Sequence, residues 1–551
     1  MSEDLRMRAD LSGVDELTRN LTHRIVVGDI PTRAAQTFGD RPAIVDGDRT
    51  VSFGELESLS NSVANALVER GMRRGDRLAL HSRNRWQFVV TFFGCAKAGI
   101  TVFPVNLMLT AADIAVQLAE TRCTAAAVDY DLLGHFTEAC AHAESLSVET
   151  VYAIDVDGGG ASSAATATAT AAAAYQVQPW ETLLTHDGEV AEYLVDDRDP
   201  LHCLYTSGTT SRAKGVITSH LSAVVSALNS GMQLGMSPRT QASATPIVLP
   251  LFHVTALDAI LMPTLLSGST AVLLRGFDAD AVIEAFCSHR VSHLTMLPMM
   301  WTALLDHPRI DDADTTHLRV GLYAMAPMPS STLTALRSRF PNADIMLGSG
   351  QTETTPPSEL QWPEHQGVKD DSWGAPTLMS DVRIMSTDGK LLPRHQEGEI
   401  VYRSPQLMDG YLDNAEANTH AFAHGWFHGG DIGYIDDEGV VWFTDRAKDI
   451  VKTGGENVSS VEVERALLGH PSVAECAVVG RPDPHWGEAV TAVVVIRDGH
   501  IADPDGIRAH CREVLAPFKV PKKIVVVDTL PKTATGKIRK HELRTAPTTD
   551  G

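Results

Sequence analysis

Residues 205–216 read YTSGTTSRAKGV, a run of small and hydroxylated residues followed by a lysine. Glycine lets a backbone turn tightly and approach a ligand closely, while hydroxyls, amides and a lysine offer partners to phosphate oxygens. The pattern favours a phosphate-binding loop. A plain surface turn has a similar composition, so this stretch alone leaves both interpretations open.

A Walker-type P-loop does not fit this stretch. That motif requires G-x-x-x-x-G-K-[ST], whereas here Lys214 follows Gly208 by six residues and precedes Gly215. The tripeptide TGK at 535–537 precedes Ile538 and also lacks the hydroxyl that would bind Mg²⁺. Any phosphate chemistry therefore belongs to a class other than the P-loop NTPases.

Bulk composition narrows the class of protein. A chain of 551 residues with 44% hydrophobic residues predicts roughly three to four domain-sized units with a large buried core. The formal net charge of −23 argues against nucleic acid or an anionic membrane as a partner. The seven cysteines form no C-x-x-C pair, and the start MSEDLRMRADL is charged, so we expect no secretory signal and a cytoplasmic protein.

Short apolar runs alternate with helical patterns from about residue 75. DRLALHS and TVFPVN predict strands, QFVVTFFGCAKAG and TAADIAVQLAE predict helices, and the same alternation recurs in 269–297. The apolar region 246–274 is interrupted by polar residues and predicts a buried strand–helix–strand segment rather than a membrane span. The fold class is therefore α/β with a largely parallel sheet.

Two further regions bear on domain organisation. The stretch GGGASSAATATATAAAA at 158–174 lacks apolar bulk and predicts a low-complexity insertion or linker. Past residue 445 the pattern becomes strand, helix, strand, strand, helix and a basic tail, which is enough for a small separate α+β domain.

Six motifs follow one another in a specific order. After residues 205–216 come PLFHVTA (250–256), GSGQTE (348–353), GWFHGGDIGYIDDEG (425–439), FTDRAKDIVKTGGENVSSVEVE (443–464) and PKTATGKIRK (531–540). In this order they resemble the acyl-adenylate-forming superfamily of acyl-CoA synthetases, beetle luciferases and peptide-synthetase adenylation domains, from about residue 30 to 545. The acyl-CoA synthetases are the most similar branch, since the GGEN loop is of their type.

The resemblance implies a large N-terminal domain of layered α/β subdomains, residues 1–445, and a small α+β C-terminal domain, residues 446–551, hinged near Lys448. It also implies two half-reactions. A carboxylate attacks the α-phosphorus of ATP to give acyl-AMP and pyrophosphate, and the thiol of coenzyme A then displaces AMP. A homodimer is one oligomeric state left open.

The resemblance also assigns nucleotide-binding residues. A glycine- and hydroxyl-rich loop with a lysine would bind the β- and γ-phosphates, Glu353 would ligate Mg²⁺, and Asp431 would accept hydrogen bonds from the ribose hydroxyls. The expected set is Thr206, Ser207, Gly208, Thr209, Thr210, Lys214, Ser349, Gly350, Thr352, Asp431 and Arg446.

Lys537 is the expected catalytic residue of adenylation, because one lysine can bridge the negative charge on the carboxylate and on the α-phosphate. For thiolation, the resemblance implies rotation about the hinge. The loop 452–460 would then line the CoA channel through Lys452, Gly454, Gly455 and Glu456.

The acyl pocket is expected near His253, which would gate it beside the carboxylate, with Tyr323, Ala324 and Met325 and the turn LPMMW at 297–301. These residues are apolar apart from His253 and Tyr323, and none is a lysine or an arginine. We therefore favour a hydrophobic monocarboxylate, whether fatty, aryl or polycyclic.

Four positions depart from the family pattern. Ser211 and Ala213 stand where glycine and proline are usual, Ser349 stands where an aromatic residue usually stacks on adenine, and Met325 replaces a small residue. Because most of these changes bear on ATP, one hypothesis is an enzyme that adenylates weakly or only thiolates a preformed acyl-adenylate. The motifs also leave open a freestanding enzyme that loads a carrier-protein thiol, a luciferase-like oxygenase and a non-catalytic binder of nucleotide or acyl-AMP.

Overall fold

The computed structural model describes residues 10–154, 175–186, 188–206, 213–237, 243–324, 328–532 and 538–545. Packing divides the chain into two compact units. Unit 1 comprises Met1–Val105, Thr110–Cys203 and Ile217–Val225, and unit 2 comprises Asn106–Leu109, Leu204–Val216 and Ser226–Gly551. The predicted insertion at 158–174 lies outside the described residues.

Unit 1 is built on a parallel sheet preceded by a hairpin. The hairpin consists of β1 (Pro42–Asp46) and β2 (Arg49–Ser52), and the sheet strands are β3 (Arg77–His81), β4 (Thr101–Pro104), β5 (Ala125–Asp129), β6 (Thr150–Ile154), β7 (Gln176–Pro179) and β8 (Pro200–Thr206). The sheet order is β8-β4-β3-β5-β6-β7, with parallel neighbours. Its central strands are buried on both faces, which explains their continuous apolar runs.

Unit 1 has six described α-helices, and the two predicted ones, at 87–99 and 110–120, are confirmed as Trp86–Ala98 and Ala111–Thr121. The six helices span Glu16–His23, Asp29–Phe38, Phe53–Glu69, Trp86–Ala98, Ala111–Thr121 and Leu133–His142. The helix Trp86–Ala98 is apolar all round because it is buried along nearly its whole length, and it ends at Gly99 in the left-handed conformation. The helix Ala111–Thr121 begins at Thr110, whose side chain and Asp113 form a capping box.

The chain passes from unit 1 to unit 2 within β8, returns within β9 (Lys214–Ser219), and leaves again within the helix His220–Gln233. The predicted strand–helix–strand segment at 246–274 is confirmed. It consists of β10 (Ala244–Ile247), a π-helix over Thr255–Leu261 that continues as Met262–Leu266, and β11 (Thr270–Leu273). β10 and β11 pair in parallel.

Two more sheets in unit 2 position the candidate site. In the first sheet, neighbouring strands follow the same order as along the chain. They are β12 (His293–Met296), β13 (Val320–Tyr323), β14 (Asp344–Ser349), β15 (Glu359–Leu360) and β16 (Ala375–Pro376). The second is antiparallel, with β17 (Asp381–Met385), β18 (Gly398–Arg403), β20 (Phe427–Ile435) and β21 (Val441–Arg446) in that order, and β19 is the short segment Gly410–Tyr411. The accompanying helices span Ala279–Ser288, Pro298–Leu305, Ser330–Arg339 and Ala415–Ala421.

The C-terminal residues form an α+β arrangement. Its strands are β22 (Val451–Thr453), β23 (Glu456–Val458), β24 (Val473–Asp483), β25 (Gly487–Ile496) and β26 (Lys523–Val526), and its helices are Ser460–Leu468, Pro504–Val514 and Lys540–Thr545. The predicted order of elements after residue 445 is therefore confirmed, as is the α/β fold class. The boundary at 445/446 and the hinge at Lys448 stay predictions.

Among the described residues, no helix combines the length and the apolar character that crossing a lipid bilayer would require. This finding concerns helices alone.

Candidate functional site

An ion pair between two adjacent strands forms one side of the candidate site. Asp431 on β20 lies opposite Arg446 on β21 in the strand register, and Arg446 Nε is 2.7 Å from Asp431 Oδ1. Asp431 is fully buried, and Gln351 Nε2 donates a hydrogen bond to its other oxygen, Oδ2. Burial alone would lower the pKa of Arg446, but the charges of Asp431 and Glu353 outweigh it and raise that pKa. The Arg446 guanidinium therefore stays protonated beside Asp431.

Gln351 opens the turn that carries the predicted metal-binding carboxylate. β14 ends at Ser349, and Thr352–Thr354 form a single 3₁₀ turn closed by a hydrogen bond from the Gln351 N–H to Thr354 Oγ1 of 3.0 Å. Glu353, at the centre of that turn, is 9% exposed. This turn thus joins the Asp431 side of the site to the Glu353 side.

A buried amide holds the segment that follows this turn. Gln406 Nε2 donates to the carbonyl oxygens of Thr354, Thr355 and Pro357 at 3.0–3.2 Å, and Gln406 Oε1 accepts from Asn229 Nδ2 at 3.0 Å. Gln406 is fully buried. Buried carbonyls without partners are costly, so this single side chain stabilises the backbone that presents Glu353.

Lys214 and Glu353 lie on either side of an aromatic residue that the sequence motifs did not single out. The Nζ of Lys214 is 3.8 Å from the centroid of the Tyr411 ring, and Tyr411 Oη donates to Glu353 Oε1 at 2.9 Å. Lys214 begins β9, and Thr206 at the end of β8 is linked to it by a hydrogen bond from Thr206 Oγ1 to the Lys214 carbonyl at 3.5 Å. Two predicted residues distant in sequence are thereby brought together.

The predicted CoA loop is a tight hairpin. β22 and β23 pair antiparallel with Lys452 opposite Asn457, and Gly454 and Gly455 form the two-residue turn at φ of +60° and +90°. Positive φ at both turn positions is typical of a type I′ hairpin, which explains the paired glycines. Lys452, Gly454, Gly455 and Glu456 are all exposed at this hairpin.

The hairpin is anchored to the next one in the chain. The Gly454 N–H donates to the Trp486 carbonyl at 2.8 Å, and the Lys452 N–H donates to Glu488 Oε2 at 2.7 Å. Both contacts are made by residues of the C-terminal sheet and its turns. They are different from the contacts described above for Asp431 and Glu353.

His253 lies just before the π-helix Thr255–Leu261. Its Nδ1 accepts a hydrogen bond from the Thr255 N–H at 3.3 Å. The contact supports the start of the helix.

The other pocket candidates are more deeply buried. Tyr323, 1% exposed, ends β13, and its hydroxyl lies 3.5 Å from Gln361 Oε1; Ala324 is 8% exposed. Trp301 of the LPMMW turn is fully buried against Phe340, and its Nε1 donates to the Leu322 carbonyl at 3.1 Å. The role of these residues in acid binding stays a prediction.

Several predicted residues fall outside the described part of the chain. They are Ser207, Gly208, Thr209, Thr210 and Ser211 of the phosphate loop, Met325, and Lys537.

The segment that contains Lys537 is flanked by described contacts. Lys532 pairs with Ile538 across it, and Lys540 Nζ lies 2.7 Å from Glu464 Oε1 and 2.7 Å from Ser460 Oγ. Burial would lower the pKa of Lys540, but Glu464 and Asp445 raise it.

Motif reasoning missed Tyr411, Gln351 and Gln406, and it also missed Glu359. The carboxyl of Glu359 lies on β15 opposite Ser349 and is fully buried. Burial raises its pKa to about 8; the nearby Tyr402 hydroxyl opposes the shift, and the charge of Asp431 adds to it.

The α/β body and the small α+β C-terminal part carry a buried acid, an arginine and a lysine, groups suited to bind a nucleotide. A model of the AMP-binding enzyme family matches residues 31–412, and a model of the AMP-binding enzyme C-terminal domain matches residues 462–537. The chain therefore belongs to the AMP-binding enzyme family. It is an AMP-forming acid–thiol ligase that works through an acyl-adenylate, as the motif order predicts.

Relatives match along nearly the whole chain. A feruloyl-CoA synthase from Amycolatopsis sp is 34% identical over 520 residues, which cover 94% of this chain and 98% of the relative. ATP-bound MatB from Rhodopseudomonas palustris superimposes with a TM-score of 0.81 at 28% identity, over 94% of this chain and 98% of that one. The o-succinylbenzoate-CoA synthetase of Bacillus subtilis, in complex with the acyl-adenylate OSB-AMP, gives 0.80 at 28% identity with the same coverage.

Proposed function

We propose that this protein carries out both half-reactions on a hydrophobic monocarboxylic acid, with Mg²⁺-ATP and coenzyme A as co-substrates. In the first, a carboxylate oxygen bonds to the α-phosphorus and the bond from that phosphorus to the pyrophosphate oxygen breaks. In the second, the CoA sulfur bonds to the acyl carbon, the bond from that carbon to the AMP oxygen breaks, and the thiol proton passes to water.

One observation carries the proposal. The 351–354 turn unites groups suited to opposite ends of ATP, because Gln351 contacts Asp431 and Glu353 contacts Tyr411 beside Lys214. An acceptor-only carboxylate at Asp431 suits the two ribose hydroxyls, and the Arg446 guanidinium suits ribose or phosphate. Lys214 suits the β- and γ-phosphates as a point charge.

The residues at Glu353 fit a magnesium ion. Mg²⁺ is commonly held by one or two carboxylates together with substrate phosphates and waters, so a single buried glutamate is sufficient protein ligation. Oε1 of Glu353 accepts one hydrogen bond from Tyr411, and a carboxylate has further lone pairs that suit the metal. When bound, the metal would neutralise charge on the phosphates.

Lys537 is proposed to stabilise the charge shared by the attacking carboxylate and the α-phosphate. After adenylation the hinge at Lys448 would turn the C-terminal domain, and the hairpin with Lys452, Gly454, Gly455 and Glu456 would then line the thiol channel. The exposed positive-φ turn of that hairpin supports this role, because it offers a narrow backbone with no side chains at its tip.

The proposed class of substrate acid is inferred from the apolar residues expected to line the acyl pocket. Tyr323 and Ala324 are buried and carry no charge, and His253 Nδ1 accepts a hydrogen bond from the Thr255 N–H. Neutral surroundings favour an acid with one carboxylate and an apolar body. The similarity to a feruloyl-CoA synthase supports an aryl acid as the first group to test.

A second function is favoured by Ser349. This residue ends β14 at the position expected for the adenine-stacking aromatic, and its short side chain cannot supply stacking worth about 1–3 kcal/mol. On this alternative the enzyme adenylates weakly and mainly converts a supplied acyl-adenylate to the CoA thioester.

The experiment separates the two functions. Purified protein would receive Mg²⁺-ATP and a panel of aryl, fatty and polycyclic acids with or without CoA, and pyrophosphate, acyl-AMP and acyl-CoA would be quantified. In parallel, synthetic acyl-adenylates would be supplied with CoA. Pyrophosphate followed by acyl-CoA supports the two-step enzyme, whereas acyl-CoA from the supplied adenylate alone supports the alternative.

Two variants test the role of Lys537 in this assay. Lys537→Ala is expected to abolish pyrophosphate release while it preserves thiolation of a supplied adenylate, because the lysine serves only the first half-reaction. Lys390→Ala, at a lysine on the surface, is the matched control and should change neither. Equal loss of both half-reactions in Lys537→Ala would contradict the assigned role.

A further inference from the structure

Tyr411 is fixed in place through its backbone. The Asn418 side chain binds it on both sides, accepting from the Tyr411 N–H at 2.7 Å and donating to the Tyr411 carbonyl at 3.0 Å. The next residue, Leu412, donates its N–H to the Gly215 carbonyl at 2.8 Å, beside Lys214. The residue is 7% exposed, and its ring therefore has a defined position relative to β9.

The two ends of the Tyr411 side chain contact opposite charges. Its ring lies under the Lys214 ammonium, 3.8 Å from Nζ to the ring centroid, and its hydroxyl donates to Glu353. The hydroxyl is the donor of this hydrogen bond, because an ionised carboxylate can only accept. Donation to a carboxylate also polarises the phenol and strengthens the attraction of its ring for a cation.

A tyrosine at this place separates two charges that would otherwise neutralise each other. Lys214 and Glu353 in direct contact would form an ion pair, and each charge would then be neutralised by the other rather than by a ligand. The aromatic ring holds the ammonium without removing its charge, and the hydroxyl orients the carboxylate through Oε1. Both charges thus remain available to a ligand.

We propose that Tyr411 is a positioning residue for the triphosphate: it holds Lys214 for the β- and γ-phosphates and orients Glu353 for the accompanying Mg²⁺. This inference rests on the roles proposed above for Lys214 and Glu353. It predicts that Tyr411 contributes to binding of the metal–triphosphate and not to binding of AMP, which lacks the β- and γ-phosphates.

Equilibrium binding tests the proposal without turnover. Calorimetric titration would measure the affinity of wild type, Tyr411→Phe and Tyr411→Leu for AMP and for Mg²⁺-AMPCPP, an ATP analogue with a methylene bridge between the α- and β-phosphorus. The matched control is Tyr193→Phe, which removes a hydroxyl that donates to Asn65 Oδ1 at 2.7 Å in unit 1. Thermal unfolding of each variant would confirm that it is folded.

Tyr411→Phe keeps the ring and loses the hydrogen bond, so we expect its Mg²⁺-AMPCPP affinity to fall about tenfold. Tyr411→Leu also loses the cation–π contact and should be weaker by a further three- to tenfold or so. Affinity for AMP should stay within about twofold in every variant. With EDTA in place of Mg²⁺, the difference between wild type and Tyr411→Phe should shrink, because the oriented carboxylate then has no metal to bind.

Three results would overturn the proposal: unchanged Mg²⁺-AMPCPP affinity in folded Tyr411→Phe, an equal loss of AMP affinity, or no binding of Mg²⁺-AMPCPP by the wild type. A different result would show that the proposed two-step function is wrong while the inference about Tyr411 holds. A wild type that binds Mg²⁺-AMPCPP and shows the expected variant effects, yet releases no pyrophosphate with any acid, would leave the inference standing and refute the two-step reaction.

Discussion

Asp431 and Arg446 face each other across β20 and β21, with 2.7 Å between Oδ1 and Nε, and Gln351 from a third segment donates to the remaining carboxylate oxygen. The carboxylate is thus oriented by two donors before any ligand arrives. Orientation of this kind lowers the cost of binding, because fewer groups must be ordered when the nucleotide enters.

The first prediction concerns this carboxylate. Asp431→Asn keeps the shape but loses the charge that holds Arg446 and would accept from both ribose hydroxyls. The KM for ATP should rise by about 10- to 100-fold, the range for hydrogen bonds to charged groups. Steady-state pyrophosphate release would measure it, with Asp381→Asn on β17 as the exposed control. An unchanged KM would exclude a role of Asp431 in nucleotide binding.

The second prediction concerns Gln406. Gln406→Leu removes the amide that satisfies three buried carbonyls, so the free energy of unfolding should fall by roughly 2–4 kcal/mol. Urea denaturation would measure the change. Gln396→Leu, at an exposed position, should change it by less than about 0.5 kcal/mol. Equal effects of the two substitutions would show that the turn is held by other contacts.

The third prediction concerns the hairpin turn. Gly454→Ala places a Cβ 3.0 Å from the Trp486 ring at φ +60°, so it should slow thiolation of a supplied acyl-adenylate several-fold, in line with about 1 kcal/mol of strain. Pyrophosphate release should be unaffected. Gly499→Ala has a similar backbone cost at φ +80° with open space around the Cβ, and serves as the control. Impaired thiolation in both variants would point to general destabilisation.

The fourth prediction concerns pH and Glu359. Its pKa is about 8 in the folded protein against an ordinary 4.5, so between these values the folded state holds a proton that the unfolded state has released. Stability from this group therefore falls as pH rises through that window, by about 1.4 kcal/mol per unit at most.

Glu359→Gln, a neutral isostere, should remove this dependence. Relative to that variant, the wild type should lose up to about 4 kcal/mol of unfolding free energy between pH 5 and 8. Other titrations, such as the buried His81 and His220 whose pKa values fall to about 3, cancel in the comparison. Parallel pH profiles for the two proteins would show that Glu359 is ionised in the fold.

Local patterns predicted the elements well. The helix Trp86–Ala98 and the strands at 77–81 and 101–104 follow from apolar periodicity. Motif order also predicted the family and the residues at 214, 353, 431 and 446. These signals are local, since each depends on spacing within one segment or on residue types within one motif.

The contacts between motifs could not be predicted in this way. Nothing in the sequence indicates that the ring of Tyr411 holds the Lys214 ammonium, that Gln406 supports the Glu353 turn, or that Glu359 is buried opposite Ser349. Each depends on strand register and on chain segments separated by tens to hundreds of residues.

The sequence by itself determined the α/β class, the order of elements and the chemical types available to bind a nucleotide, because backbone preference and side-chain chemistry are local properties. Only the tertiary structure decided which charges meet. It places Asp431 against Arg446 and inserts Tyr411 between Lys214 and Glu353, because packing sets distances, and distance and burial together determine whether two charges pair or stay available for a ligand.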